Sequence, residues 1–171
     1  MPDLRFVSRS SSLWNEDRPH ILVVACSDGR LQLAVDEFLD TNLGVTSYDR
    51  LLLPGGPGAL AASGVEHVRA NAHKNEMKFL LDVHEIEEVI LLFHGPALGG
   101  PDLALCADYA RALGTRDREK VMAAQREDFA ELKKYFESHT AIKLQAYRAQ
   151  VDADHRVEFV EMDVPKTVFT V

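Results

Sequence analysis

Three short apolar runs, each followed by a segment of helical periodicity, are the feature that most constrains the fold of this 171-residue chain. The runs occupy residues 21–25, 51–53 and 88–93. They consist mostly of Val, Ile and Leu, which is typical of strands buried on both faces of a parallel sheet. We therefore predict an α/β fold in which a mainly parallel sheet is flanked by helices on both faces.

The segments between and after these runs complete the predicted order of elements. Apolar residues at helical spacing predict helices over residues 31–40, 64–84 and 101–136, the last broken near Leu113-Gly114-Thr115. The tail from 142 to 162 predicts two strands that are joined by a turn and pair at a sheet edge.

The first nineteen residues differ from the rest of the chain. Residues 1–19 are polar, and we predict an N-terminal arm there, followed by a single domain over residues 20–171. Trp14 is the exception within this polar segment, and a large indole is more stable packed than left in water. One interpretation is that Trp14 anchors the arm on a neighbouring subunit.

Composition narrows the range of partners and locations. The net charge of −8 and the isoelectric point near 5.3 argue against a nucleic-acid-binding protein, which needs clustered Lys and Arg. The sequence has neither an apolar run of about 18 residues, as a membrane span needs, nor the apolar segment of a signal peptide. These observations predict a cytoplasmic protein that binds small molecules or other proteins and neither membranes nor nucleic acid.

Side chains with metal-binding chemistry follow two of the three predicted strands. The first strand is followed by Cys26, Asp28 and Arg30, and the third is followed by His94. Because ligands bind at the carboxyl ends of the strands in open parallel sheets, these residues form one candidate site. Thiolate, imidazole and carboxylate are the ligand types that zinc prefers, so the sequence indicates a metal site built from Cys26, His94 and Asp28.

The two loops resemble those of the β-class carbonic anhydrases, whose signature is Cys-x-Asp-x-Arg after the first core strand and His-x-x-Cys after the third. Cys26, Asp28 and Arg30 match the first part, and His94 begins the second. The resemblance implies that family's α/β fold, a zinc ion that generates hydroxide from water, and carbon dioxide or bicarbonate as substrate. It also implies catalytic roles for Asp28 and Arg30, and a homodimer or higher homo-oligomer formed through N-terminal arms and sheet edges.

One position departs from the family pattern. Ala97 stands where the family has its second zinc cysteine, and a methyl group cannot bind metal. Cys106 is expected inside a helix, so it would reach the site only if that helix were displaced or rearranged. Cys26, His94 and Asp28 then remain as three possible ligands, and only two remain if Arg30 holds Asp28 instead.

Two functions are compatible with this pattern. The first is a carbonic-anhydrase-like zinc enzyme with an incomplete site and weak or altered carbon dioxide hydration or hydrolase chemistry. The alternative is a metal-free, non-catalytic homologue that binds a small anion or a protein partner. Single residues also have other interpretations: Cys26 as a buried apolar group or, as a minor option, a reactive thiol, and His94 as a core histidine. Asp28 and Arg30 could equally form a structural ion pair.

Overall fold

The computed structural model describes residues 7–61, 67–138 and 142–162. Within them lie five strands, four α-helices and two short 3-10 helices. The strands are β1 (Ile21–Cys26), β2 (Asp49–Leu53), β3 (Glu88–Pro96), β4 (Lys143–Val151) and β5 (Val157–Glu161). The α-helices are α1 (Gln32–Leu43), α2 (His67–Val83), α3 (Ala107–Leu113) and α4 (Arg118–Glu137), and the 3-10 helices are Gly56–Leu60 and Asp102–Ala104.

The strands form one sheet in the order β2-β1-β3-β4-β5. The first four strands run parallel to their neighbours, and β5 pairs antiparallel with β4 at the edge. The predicted mainly parallel sheet and the predicted edge hairpin are therefore confirmed. In the turn between β4 and β5, the carboxylate of Asp152 accepts hydrogen bonds from the backbone amides of Asp154 (2.9 Å) and Arg156 (2.8 Å).

Helices cover both faces of the sheet, as the alternation of elements predicts. On one face, α1 packs its Leu39 against Val23 and Ile90 of the central strands. On the other, α2 and α4 cover the opposite side chains of the same strands. The buried residues that these two helices contribute to that face are Met77, Leu81, Val121, Phe129, Leu132 and Phe136.

The third predicted helix is divided into three pieces. The 3-10 helix Asp102–Ala104 comes first, α3 follows, and Gly114 ends α3 with a left-handed backbone at φ 62°. This confirms the break predicted near Leu113-Gly114-Thr115. Helix α4 then begins behind Asp117, whose carboxylate accepts hydrogen bonds from the amides of Glu119 and Lys120. Of the helix predicted over residues 64–84, the part before residue 67 lies outside the described residues.

Residues 7–19, the described part of the predicted arm, contain neither helix nor strand and are mostly exposed. Trp14 is 85% exposed in the single chain. The boundary between an arm and a domain at residue 20 stays a prediction. None of the helices described is both long enough and apolar enough to cross a membrane.

Candidate metal centre

Two of the predicted site residues lie at the carboxyl ends of adjacent strands. Cys26 is the last residue of β1, and His94 lies in the part of β3 that extends beyond β1. The register of the two strands ends with Ala25 opposite Leu92, so the chain places Cys26 and His94 side by side at this edge. Cys26 is half-buried and His94 is buried. The sequence-based expectation of a shared strand-end site agrees with this placement.

Cys106 joins these two residues, which the sequence analysis allowed only if the helix expected around it were displaced or rearranged. It lies outside the helix in which it was expected: its backbone has φ −59° and ψ 116°, and α3 begins only at the next residue. Among the residues described, Cys26, His94 and Cys106 form a group whose ligand atoms all lie within 4.8 Å of one another. The donor atoms of one tetrahedral zinc ion are about 3.5–4 Å apart, so this group approaches the size of a zinc site.

The thiols of Cys26 and Cys106 share a hydrogen bond that shifts their pKa values in opposite directions. The hydrogen bond with the Cys106 side chain has the largest effect and lowers the pKa of Cys26. Burial raises this pKa and His94 lowers it again, so that the pKa of Cys26 is about 4. The pKa of Cys106 moves in the opposite direction because of its hydrogen bond to Cys26 and its burial. Without a metal, the pair therefore holds one thiolate and one thiol. A metal that binds both sulfur atoms as thiolates would release the remaining proton.

The hydrogen bonding of the His94 imidazole shows whether these residues fit a metal ion. Its Nε2 atom is buried and has no hydrogen-bond partner among the described residues. A buried polar atom without a partner costs about 1–3 kcal/mol, so such atoms are rare and call for an explanation. Binding of a metal ion would satisfy the imidazole. Two cysteines and one histidine are also a donor set found in catalytic zinc sites, so the residues present fit zinc.

Asp28 is held by Arg30 rather than by the group of Cys26, His94 and Cys106. The guanidinium donates from Nε to Asp28 Oδ1 at 2.8 Å and from Nη2 to Oδ2 at 2.5 Å. These hydrogen bonds, more than any other interaction, lower the pKa of Asp28 to about 2. The carboxylate is therefore ionised at neutral pH. Asp28 as a metal ligand stays a prediction, and the ion pair with Arg30 is the contact that the structure contains.

Arg118 orders the loop that connects His94 with Cys106. Its guanidinium donates hydrogen bonds to the carbonyl oxygens of Ala97 (3.2 Å) and Gly100 (2.6 Å) and to the carboxylate of Asp102 (2.6 Å). The family's cysteine position, Ala97, also donates its amide to Val151 at 2.8 Å. This loop is therefore tied to both α4 and β4 before it reaches Cys106.

A cavity of about 300 Å³ lies beside the metal-binding group, which contributes His94 to its lining. Asp28, Arg30, His94 and His155 are its polar lining residues, and apolar side chains form the rest of the wall. The apolar residues are Leu31, Pro101, Leu103, Ala104, Val151 and Val157. A cavity with a few polar groups at one end and apolar walls is the usual form of a small-molecule site.

The fold and site define the chain as a mainly parallel α/β protein with a Cys2His group at the carboxyl edge of its sheet. No protein-family model and no curated protein matches the sequence. Among solved structures, it is similar to the β-carbonic anhydrase CcaA, with 18% identity and a TM-score of 0.48, over 86% of this chain and 79% of that one. CcaA belongs to the family that the motifs of this chain resemble.

Two further β-carbonic anhydrase structures show the same similarity. The β-carbonic anhydrase CafA of Aspergillus fumigatus is 15% identical with a TM-score of 0.44, over 87% of this chain and 78% of that one. A tetrameric β-carbonic anhydrase from Sordaria macrospora is 15% identical with a TM-score of 0.40, over 84% of this chain and 81% of that one. At these identities the similarity concerns the fold.

Proposed function

We propose that this chain is a carbonic-anhydrase-like zinc enzyme that catalyses the reversible hydration of carbon dioxide. The observation that carries the proposal is the group of Cys26, His94 and Cys106, whose ligand atoms lie within 4.8 Å of one another. The match of Cys26, Asp28 and Arg30 to the Cys-x-Asp-x-Arg signature supports the same reaction. In this proposal Cys106 takes the part that the sequence pattern assigns to a cysteine at position 97.

The three donors would hold zinc, and the neighbouring residues would prepare the site around it. Zinc bound there would supply a Lewis acid that lowers the pKa of a water molecule. Arg30 holds the carboxylate of Asp28 ionised at the cavity, where it can accept a hydrogen bond from a water molecule and orient it. The apolar wall favours a small uncharged substrate over its hydrated product.

Metal content and activity test this proposal directly. Protein purified without chelator or added zinc is expected to contain about one zinc per chain and to hydrate carbon dioxide in a stopped-flow assay. His94→Ala, which removes the imidazole, is expected to lose both properties, and His155→Ala, which changes a histidine at the cavity mouth, should keep the metal. A metal content near zero that added zinc does not restore would contradict the proposal.

The alternative of a metal-free anion site has less support. Arg30 is the cation that would bind the anion, but two of its nitrogens are engaged by Asp28 and Nη1 donates to the carbonyl oxygen of Leu103 at 3.1 Å. An anion would therefore have to use the second N–H groups of Nη1 and Nη2 and bind beside an ionised carboxylate. Titration with bicarbonate, acetate and phosphate separates the two proposals, since saturable binding by zinc-free protein would favour the anion site.

We further propose that the protein is a cytoplasmic homodimer or higher homo-oligomer. Leu13 and Trp14 support an arm that packs on a second copy, because both are almost fully exposed in the single chain. A reducing compartment suits a site that needs Cys26 and Cys106 as free thiols. Light scattering that shows a monomer at working concentration would contradict the oligomer, and Trp14→Ala should weaken it.

A further inference from the structure

The end of β3 extends beyond its neighbour β1, and this extension carries His94. Pairing between the two strands stops at Leu92, so among the residues described the segment from Phe93 to Pro96 pairs with β4 alone. Two carbonyl oxygens of this extension, those of His94 and Pro96, accept hydrogen bonds from side chains instead. The position of His94 therefore depends on those side chains.

The two donors are Gln125 of α4 and Arg148 of β4. Gln125 donates from Nε2 to the carbonyl oxygen of His94 at 2.9 Å, and its Oε1 accepts from Arg148 Nε at 3.0 Å. Arg148 donates from Nη2 to the carbonyl oxygen of Pro96 at 3.2 Å. Gln125 is 1% exposed and Arg148 is 5% exposed. The pair forms a buried brace between α4, β4 and the end of β3.

Arg148 is unusual because its charge is buried without a carboxylate partner in the described part of the chain. Its acceptors there are neutral oxygens, those of Gln125 and Pro96 and, through Nη1, of Gln150. Burial lowers the pKa of Arg148 to about 10. A buried charge without a counter-ion is unfavourable for folding, so stability alone does not account for an arginine here. Gly95 leaves the space for it, since a Cβ at that position would collide with Arg148 Nη2.

We propose that Arg148 and Gln125 are positioning residues for the metal centre: they fix the end of β3 so that the imidazole of His94 faces the thiols of Cys26 and Cys106. This inference rests on the proposed function. Neither residue lines the cavity or belongs to the metal-binding group, so both act through His94. The planar guanidinium can reach three separate oxygens at once, which a lysine cannot do in the same way.

Two substitutions separate positioning from a structural role. Arg148→Met removes the donors to Pro96 and Gln125 together with the buried charge. Loss of the charge offsets the cost of the lost hydrogen bonds, so stability is expected to stay close to that of the wild type. Gln125→Glu keeps an acceptor for Arg148 and supplies it with a counter-ion, but it removes the donor to His94. Because each variant loses a hydrogen bond that holds the end of β3, each is expected to weaken zinc binding about 10–100-fold, the usual effect of losing an outer-shell partner of a metal ligand. Gln150→Ala is the matched control, because it removes an acceptor of Arg148 and leaves both bonds to β3.

Zinc affinity is measured by competition with a chelator, and the visible spectrum of the cobalt-substituted protein reports the ligand geometry. Weaker zinc binding and an altered cobalt spectrum in both variants, with stability retained and the control unchanged, support the proposal. Wild-type affinity in both variants, or an equal loss in Gln150→Ala, would overturn it. If Arg148→Met does not fold, Gln125→Glu decides the question.

A second measurement distinguishes failure of this inference from failure of the proposed function. If the wild-type protein binds no zinc, the proposed function fails, and positioning is then tested in the metal-free protein. The rate at which iodoacetamide modifies Cys26, followed by mass spectrometry of its peptide, depends on how His94 faces the thiolate. A change of several fold in both variants supports the brace, and rates equal to that of the wild type contradict it.

Discussion

The thiol of Cys106 faces the thiol of Cys26 at the carboxyl edge of the sheet, with the two sulfur atoms within 4.8 Å of each other. Cys26 ends a central strand, whereas Cys106 comes after a 3-10 helix that follows a short loop. Their hydrogen bond lowers the pKa of one thiol and raises that of the other. The chain thus presents a thiolate and a thiol beside an imidazole, and the metal chemistry expected of the site depends on that arrangement.

Cys106→Ser is expected to abolish tight zinc binding, because it replaces a thiolate with a hydroxyl at the third donor position. The affinity should fall by more than about 100-fold, the upper range for loss of an outer-shell partner. Chelator competition measures this change. Ser27→Ala, next to Cys26 and outside the metal-binding group, serves as the control. Unchanged affinity in Cys106→Ser would mean that another residue completes the site.

Zinc is expected to stabilise the folded protein and a chelator to destabilise it. A ligand at 100 times its dissociation constant adds about 2.7 kcal/mol to the free energy of unfolding. For a chain of this length, that corresponds to a rise in Tm of about 5–10 °C. Scanning calorimetry with zinc and with chelator measures the difference. Cys106→Ser should show a much smaller one, and equal shifts in both proteins would point to zinc binding elsewhere.

Asp28→Asn should separate metal binding from activity. Because Asp28 is bound by Arg30, the substitution is expected to leave zinc affinity within about threefold of the wild type. The value of kcat/KM should fall about 100-fold, because the carboxylate that orients the water molecule is lost. Asp82→Asn removes an ion pair, with Lys78 on α2, that lies outside the cavity, and should retain activity. A large loss of zinc affinity in Asp28→Asn would instead identify Asp28 as a metal ligand.

Arg118→Ala is expected to loosen the loop between His94 and Cys106. It removes charge-assisted hydrogen bonds to two carbonyl oxygens and one carboxylate, and the free energy of unfolding should fall by about 1–2 kcal/mol. Urea unfolding measures this loss. Arg116→Ala is a suitable control, because Arg116 makes one long contact, to Asp102 at 3.5 Å. Faster hydrogen exchange at residues 97–105 in Arg118→Ala alone would support the expected loosening.

The sheet and the positions of Cys26 and His94 could be predicted because they follow from local pattern. Apolar, β-branched runs specify buried parallel strands, and the carboxyl ends of such strands meet at one edge. The ion pair of Asp28 and Arg30 was also open to prediction, since the two residues are close in sequence. In each case the information lies within a few residues of the position concerned.

Cys106 could not be placed in this way. Its position depends on a helix that ends after Ala104 and a second that begins at Ala107, whereas helical periodicity continues through the whole segment. One weak signal for a helix start after Cys106 was present in the sequence. Asp108 lies two residues beyond it, and acidic residues are favoured in the first turn of a helix. Gln125 and Arg148 were missed because a buried brace between α4 and β4 depends on tertiary contacts alone.

The segment of chain between His94 and Cys106 lines the cavity beside the metal-binding group. Metal binding would close a ring of chain between these two residues, and the entropic cost of a larger ring grows only slowly with its length. The ring is longer than one closed by a cysteine at position 97, and Pro101, Leu103 and Ala104 within it line the cavity. The segment that carries the second thiol therefore also forms part of the wall of this cavity.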